Sequence, residues 1–150
     1  ADYRSEFFGR LKEILADRPD IKISGDRFVF QSEVLFAVNS AELSEQARSD
    51  LSALADALKE IMGEIPPDID WVLRVDGHSD KRPISTPEFP SNLHLSAARA
   101  IAVVRFLVAM GVPANRLAAT GFGDQRPIDP AETDEAYAKN RRIEFKLTEP

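Results

Sequence analysis

The sequence predicts an α+β domain: an α/β sandwich in which a mixed β-sheet carries helices packed on it, preceded by an N-terminal helix. Three observations lead there. Apolar residues recur at helical spacing in three stretches. Runs rich in Phe, Val and Ile lie between and after them. The last two such runs have no long helix between them. The order is helix, strand, helix, strand, helix, strand, strand, which suits a single mixed sheet.

Each element has its own signal. Residues 5–17 place Phe7, Phe8, Leu11, Ile14 and Leu15 on one helical face, and Arg18-Pro19 stops the run. Ile21 to Ile23 alternates apolar and polar residues ahead of a Gly25-Asp26 turn signal. "RFVFQSEVLF", Arg27 to Phe36, reads as one strand. A helix from about Ser44 to Met62 follows, with Ser44 as N-cap and Glu45 in the first turn, where the helix dipole favours an acid. Its buried stripe is Leu51, Leu54, Ala55, Leu58, Ile61 and Met62, and Gly63 with Pro66-Pro67 ends it. Ile69 to Gly77 is the next strand, and a polar, Pro-punctuated loop runs from His78 to Pro90. The third helix spans Asn92 to Met110 and Gly111 closes it. Asn115 to Gly123 reads as a strand ending in a Gly-rich turn, Asp124 to Lys139 holds one short helix, and Arg141 to Leu147 alternates as the last strand.

Composition narrows the function. A chain of 150 residues suits one domain, and 43% hydrophobic against 29% charged residues supports a core without a disulfide or metal staple. The net charge of −6 and pI near 5.0 argue against nucleic acid as the main partner, because phosphate binding needs a basic footprint. The absence of cysteine excludes disulfides and thiolate metal sites but leaves the compartment open. No apolar run is expected to reach the roughly 18 residues of a membrane span. The polar start, Ala1-Asp2-Tyr3-Arg4, lacks a signal-peptide pattern and an initiator Met. The expectation is a mature or excised soluble part of a longer protein.

"VDGHSDKRPI", Val75 to Ile84, gathers chemistry-bearing residues. A hydrolytic triad needs serine on imidazole and imidazole on carboxylate. On an extended segment Ser79 points away from both His78 and Asp80, and no G-x-S-x-G elbow is present. A zinc or iron site would need both histidines, His78 and His94, plus carboxylates. Neither catalysis nor a cofactor is expected. Asn92, Ser96 and Arg99 fall within about 60° of one another on the third helix. Leu93, Ala97, Ala100, Ile101, Val104, Leu107 and Val108 form a separate stripe read as core, so spacing alone makes the polar face a solvated one. Arg141 and Arg142 point to opposite faces of the last strand, so at most one reaches a given site, and an edge-strand charge is the plain alternative.

Several motifs in order carry a resemblance. "LFAVNSAEL" (35–43), "GHSD" (77–80), "SNLHLSAARA" (91–100), "GVPANRL" (111–117), "GFG" with "RPI" (121–128) and "NRRIEF" (140–145) together resemble the OmpA-like peptidoglycan-binding domain, over residues 28–147. The "RPI" after "GHSD" and the long loop to "SN" resemble the MotB branch more than the Pal or OmpA branch. The resemblance implies a β-α-β-α-β-β mixed sheet over residues 27–150, with residues 1–26 as N-terminal helix and connector.

It also implies a function and a site. The family binds the peptide stem of peptidoglycan, chiefly its diaminopimelate residue, without catalysis. By resemblance Asp80 would accept from the ligand ammonium and Arg99 would bind its carboxylate. Asn92, Leu95 and Ser96 would shape the wall, Asn140 and Arg141 would approach from the last strand, and the backbone from Phe36 to Asn39 would add donors. MotB-like proteins carry an N-terminal membrane helix, so the chain would be a periplasmic part tethered to the inner membrane. A homodimer and a proton-channel partner of the MotA, TolQ or ExbB type, flagellar or not, are the implied company. Three departures from the family pattern stand out: Ala37 where an acid is usual, Leu93-His94 where the MotB branch has Trp-Glu, and Tyr137 where an arginine is usual.

Overall fold

A computed structural model describes residues 3–150; the first two positions of the 1–26 segment lie outside them. The chain runs α1 (Tyr3–Ile14), β1 (Ile21–Ser24), β2 (Arg27–Gln31), α2 (Ser32–Leu35), α3 (Glu45–Met62), β3 (Val72–His78), α4 (Asn92–Ala109), β4 (Leu117–Gly121), α5 (Asp134–Asn140) and β5 (Arg142–Thr148). One five-stranded sheet has the order β1-β2-β5-β3-β4. β3 and β4 pair in parallel and every other pairing is antiparallel, so the sheet is mixed as expected.

Alternation along the strands sorts the sheet into two faces. Phe28, Phe30, Leu73, Val75, Ile143 and Phe145 join one buried core with Phe7 and Leu11 of α1, Leu51, Leu54 and Leu58 of α3, and Val103 and Leu107 of α4. These three helices therefore cover one face. Arg27, Arg74, Asp76, His78, Arg142 and Glu144 alternate with the core residues and fall on the other.

The segment of residues 1–26 packs into this same layer. β1 forms a hairpin with β2 across Gly25, whose φ of 61° suits a glycine. Phe7 meets Trp71 at 5.6 Å between ring centroids, and Phe8 meets Phe28 at 4.7 Å. The Ser44 hydroxyl caps α3 as expected, accepting from the Ala47 N–H at 3.0 Å.

Three expectations need correction. The strand read over 27–36 ends at Gln31, because its partner β5 begins at Arg142 and offers no further ladder. The chain turns into the single helical turn α2, which buries Leu35 before Phe36 resumes extended geometry. A short apolar run such as Val34-Leu35-Phe36 cannot distinguish the two by periodicity.

The second correction is the rotation of α4. Leu93, Ile101 and Val108 are 56%, 47% and 39% exposed, while Leu95, Ser96, Arg99, Ala100, Val103 and Leu107 are buried. Hydrophobicity pointed to the wrong flank because the sheet beneath is notched. Gly77 and Gly121 stand opposite each other in the β3–β4 register. A Cβ on Gly77 would lie 2.1 Å from the Ser96 carbonyl oxygen, and one on Gly121 would lie 2.8 Å from the Ala97 backbone nitrogen. The helix backbone descends into that notch at Ser96-Ala97 and turns its polar flank toward the protein.

The third concerns apolarity. α4, with 18 residues and a mean hydropathy of 1.3, is long and apolar enough to cross a membrane. Here it packs across β3 and β4.

Candidate functional site

A cleft of about 670 Å³ opens where β3 ends, between α2, the loop after it, the start of α4 and Arg141. Asp80, Arg99, Asn92, Leu95, Arg141 and Phe36 all line it, together with Ser32, Glu33 and Arg82.

Asp80 is held there by the chain's exit from the sheet. The Ser79 N–H donates to the Gly123 carbonyl at 2.9 Å, and the Phe122 N–H donates to the Gly77 carbonyl at 3.0 Å. The Asn92 amide donates to the Asp80 carbonyl at 3.3 Å and to the Arg82 carbonyl at 3.0 Å, tying the loop to the start of α4. The Asp80 carboxylate is well supplied with donors. Its Oδ1 accepts the Arg82 backbone N–H at 2.8 Å; its Oδ2 accepts Arg82 Nε at 3.1 Å, Arg82 Nη2 at 2.6 Å and Arg141 Nη1 at 2.8 Å. Burial opposes the charge, but the hydrogen bonds from Arg82 and Arg141 prevail and hold the carboxyl below its usual range.

Arg99 sits differently. Its Nε donates to the Ser40 carbonyl at 2.8 Å and its Nη2 to the Ala37 carbonyl at 3.1 Å, with the guanidinium 5.0 Å from the Phe36 ring centroid. Arg99 pairs with no carboxylate among the described residues. Burial lowers its pKa to about 10; the negative charge of Glu33 acts against the lowering and the positive charge of Arg141 adds to it. A guanidinium at that value is still charged at neutral pH. The backbone of residues 37–40 thus supplies acceptors to Arg99, and Asn39 takes a left-handed φ of 56° within that loop.

Two of the anticipated residues stand behind the cleft and do not line it. The Ser96 hydroxyl donates to the Leu93 carbonyl and accepts the Gly123 N–H at 2.9 Å, locking α4 to the turn after β4. The Asn140 amide oxygen accepts the N–H groups of Ile128 and Asp129, and its nitrogen donates to the Asp129 carbonyl, fixing the loop before α5.

Ser32, Glu33 and Arg82 line the cleft although the sequence does not mark them for it. Ser32 and Glu33 fall in the stretch whose composition reads as strand. Glu33 pairs with Arg141, while the Ser32 hydroxyl is buried with no partner. Arg82 enters the sequence pattern only through the "RPI" after "GHSD". Its guanidinium lies 4.7 Å from the Tyr137 ring centroid. Three arginines against two acids leave the cleft locally positive in a chain of net charge −6.

His78 and its neighbours form a second polar group, on the open sheet face. Asp76, His78 and Glu144 bring ligand-type atoms within 4.8 Å of one another. The donor set does not fit a cation, because Arg74 takes both Asp76 oxygens, at 2.8 and 3.0 Å, and Arg27 and Arg142 each take one Glu144 oxygen. His78 stacks on Phe122 with centroids 5.0 Å apart, and both its ring nitrogens are buried without a hydrogen-bond partner, Nε2 lying 3.9 Å from Glu144 Oε1.

Comparison with known proteins places the chain. The OmpA family model matches residues 35–141. The peptidoglycan-associated lipoprotein of Rhizobium meliloti (strain 1021) is 30% identical over 118 residues, which are 79% of this chain and 57% of that protein. The chain spans about half the length of the curated relatives it matches, from 46% to 57% for the first two. A MotB-like protein from Desulfovibrio vulgaris superposes with a TM-score of 0.84 at 26% identity, covering 99% of this chain and 95% of that one. The cell wall anchor of the T6SS from Pseudomonas aeruginosa superposes at 0.79 and 32% identity, covering 94% and 97%. The motifs read along the sequence, the five-stranded mixed sheet and these matches agree: the chain belongs to the OmpA family, and its fold is that of MotB-like domains.

Proposed function

We propose that the chain is a non-catalytic anchor domain that binds the peptide stem of peptidoglycan on the periplasmic side of a bacterial envelope. The ligand is the diaminopimelate residue, whose side-chain end carries both an ammonium and a carboxylate. Arg99 carries the reading: a buried guanidinium beside an open cleft, braced by carbonyls and lacking an acid of its own. Such a group favours an incoming carboxylate. Asp80 is the matching seat for the ammonium. The names of the Rhizobium lipoprotein and the Pseudomonas anchor support a cell-wall ligand. In the full-length protein the domain would tether an inner-membrane assembly to the wall.

Sedimentation with purified sacculi tests this. The wild-type chain is expected to co-sediment, and Asp80→Ala and Arg99→Gln to remain in the supernatant with unchanged circular dichroism. Retention of both variants at the wild-type level contradicts the site.

A second reading has one observation in its favour, the uncovered apolar flank of Leu93, Ile101 and Val108 on α4. In it the domain is a dimeric regulatory part of a MotA-, TolQ- or ExbB-type proton-channel complex, with weak or no wall binding. Light scattering on the sedimentation sample separates the two: a dimer that ignores sacculi favours the second.

A further inference from the structure

We propose that Arg82 sets the selectivity of the cleft by competing, from within the protein, for the place beside Asp80 that a ligand ammonium must take. This rests on the reading of the cleft as a stem-peptide site and identifies which end of the ligand is contested.

Two guanidiniums hold the Asp80 carboxylate, and they are not equivalent. Arg141 also pairs with Glu33, and its side chain is 26% exposed. Arg82 has a side chain 54% exposed, resting over Tyr137. Its backbone is fixed independently: the N–H donates to Asp80 Oδ1 and the carbonyl accepts from Asn92. The side chain is therefore an arm on an anchored pivot. It can leave Asp80 without moving the loop, because its own end of the pair is half exposed and Arg141 still holds the buried carboxylate.

Charge then decides what enters. With the arm down, Arg82, Arg99 and Arg141 face Glu33 and Asp80, and an ammonium meets a net positive field. With the arm out, two positive charges face two negative ones, and Asp80 Oδ2 loses two of its three donors. A ligand amine must displace Arg82, whereas a carboxylate docking at Arg99 need not. Arg82 thus disfavours ligands that offer an amine alone and favours those that bring a carboxylate on the same end. Tyr137 supplies the platform for the arm, so the departure at Tyr137 and the arginine at 82 act together.

The test is calorimetric titration of wild type and Arg82→Ala with two probes. One is the tripeptide L-Ala-D-Glu-meso-diaminopimelate; the other is the same peptide with its side-chain amine acetylated. Arg82→Ala keeps the backbone hydrogen bonds at position 82, so folding is not at stake. The expected result is a gain of about threefold to tenfold for the free-amine peptide, the scale of one ion pair whose guanidinium end is half exposed, and no gain for the acetylated one. Equal or weaker binding of the free-amine peptide by Arg82→Ala overturns the inference, as does an equal gain for both peptides. Absence of binding by both proteins overturns the stem-peptide reading itself, and the competition with it.

Discussion

Gly77 on β3 stands in register with Gly121 on β4, and the backbone of α4 rests on the pair at Ser96 and Ala97. This contact decides which face of the helix is buried and brings Arg99 to the cleft.

A methyl group on either glycine should lift the helix. At Gly77 it would meet the Ser96 carbonyl at 2.1 Å, a backbone atom that cannot swing away. Gly77→Ala is expected to destabilise by about 2 kcal/mol or more, within or above the usual overpacking range, with a smaller loss for Gly121→Ala. Urea denaturation reads both. An unchanged midpoint for Gly77→Ala would show that the helix does not sit so close.

The rotation of α4 has its own test. Val103 is fully buried and Ile101 is 47% exposed, although hydrophobicity alone ranks them together. Val103→Ala should cost about 1–3 kcal/mol, while Ile101→Lys should stay within about 0.5 kcal/mol of wild type. Equal losses in thermal denaturation would contradict the assigned face.

His78 predicts an acid-labile fold. Burial lowers its pKa from an ordinary 6.5 to about 4, helped by the positive charge of Arg142, Arg27 and Arg74 and opposed by Glu144. The unfolded chain takes up the proton first, so stability from this group is complete above pH 6.5 and declines as pH falls toward 4. Asp80 and Glu144, whose carboxyls are held below their ordinary 3.8 and 4.5, add a further loss that begins near those values and grows as pH falls below them. His78→Phe should flatten the decline between pH 6.5 and 4 in chemical denaturation while leaving the steeper acid limb. An unaltered slope in the variant would remove His78 as its source.

Asn140 should matter for stability more than for binding. Its buried amide satisfies two N–H groups and one carbonyl of the loop at Ile128 and Asp129. Asn140→Ala leaves them unpaired and is expected to cost about 1–3 kcal/mol, with faster amide exchange at 128 and 129. Slow exchange there in the variant would show the loop to be held by other contacts.

The sequence revealed most of the architecture because long elements carry strong periodic signals. α3 with its Ser44 cap and the alternating Arg142–Thr148 strand show this. The short helical turn at Ser32 was not legible, since four residues hold too little of either period. The face of α4 was not legible either. It depends on two glycines in other strands, and their register exists only once the sheet has formed. The resemblance named Asp80 and Arg99, and both line the cleft. That Arg141 already holds Asp80 was hidden, because it lies 61 positions away, at the end of α5, and the two meet only in the fold; the Arg82 contact is local, but an irregular loop has no period that shows where a side chain points.

The most direct test of the anchor reading is an NMR titration of the wild-type chain with L-Ala-D-Glu-meso-diaminopimelate. The account predicts saturable shifts at the Arg99 Nε resonance, at the amides of Ala37 to Ser40 and at Asp80, all lost in Arg99→Gln. Shifts confined to the open sheet face around His78, or no saturable shift at the cleft, would contradict it.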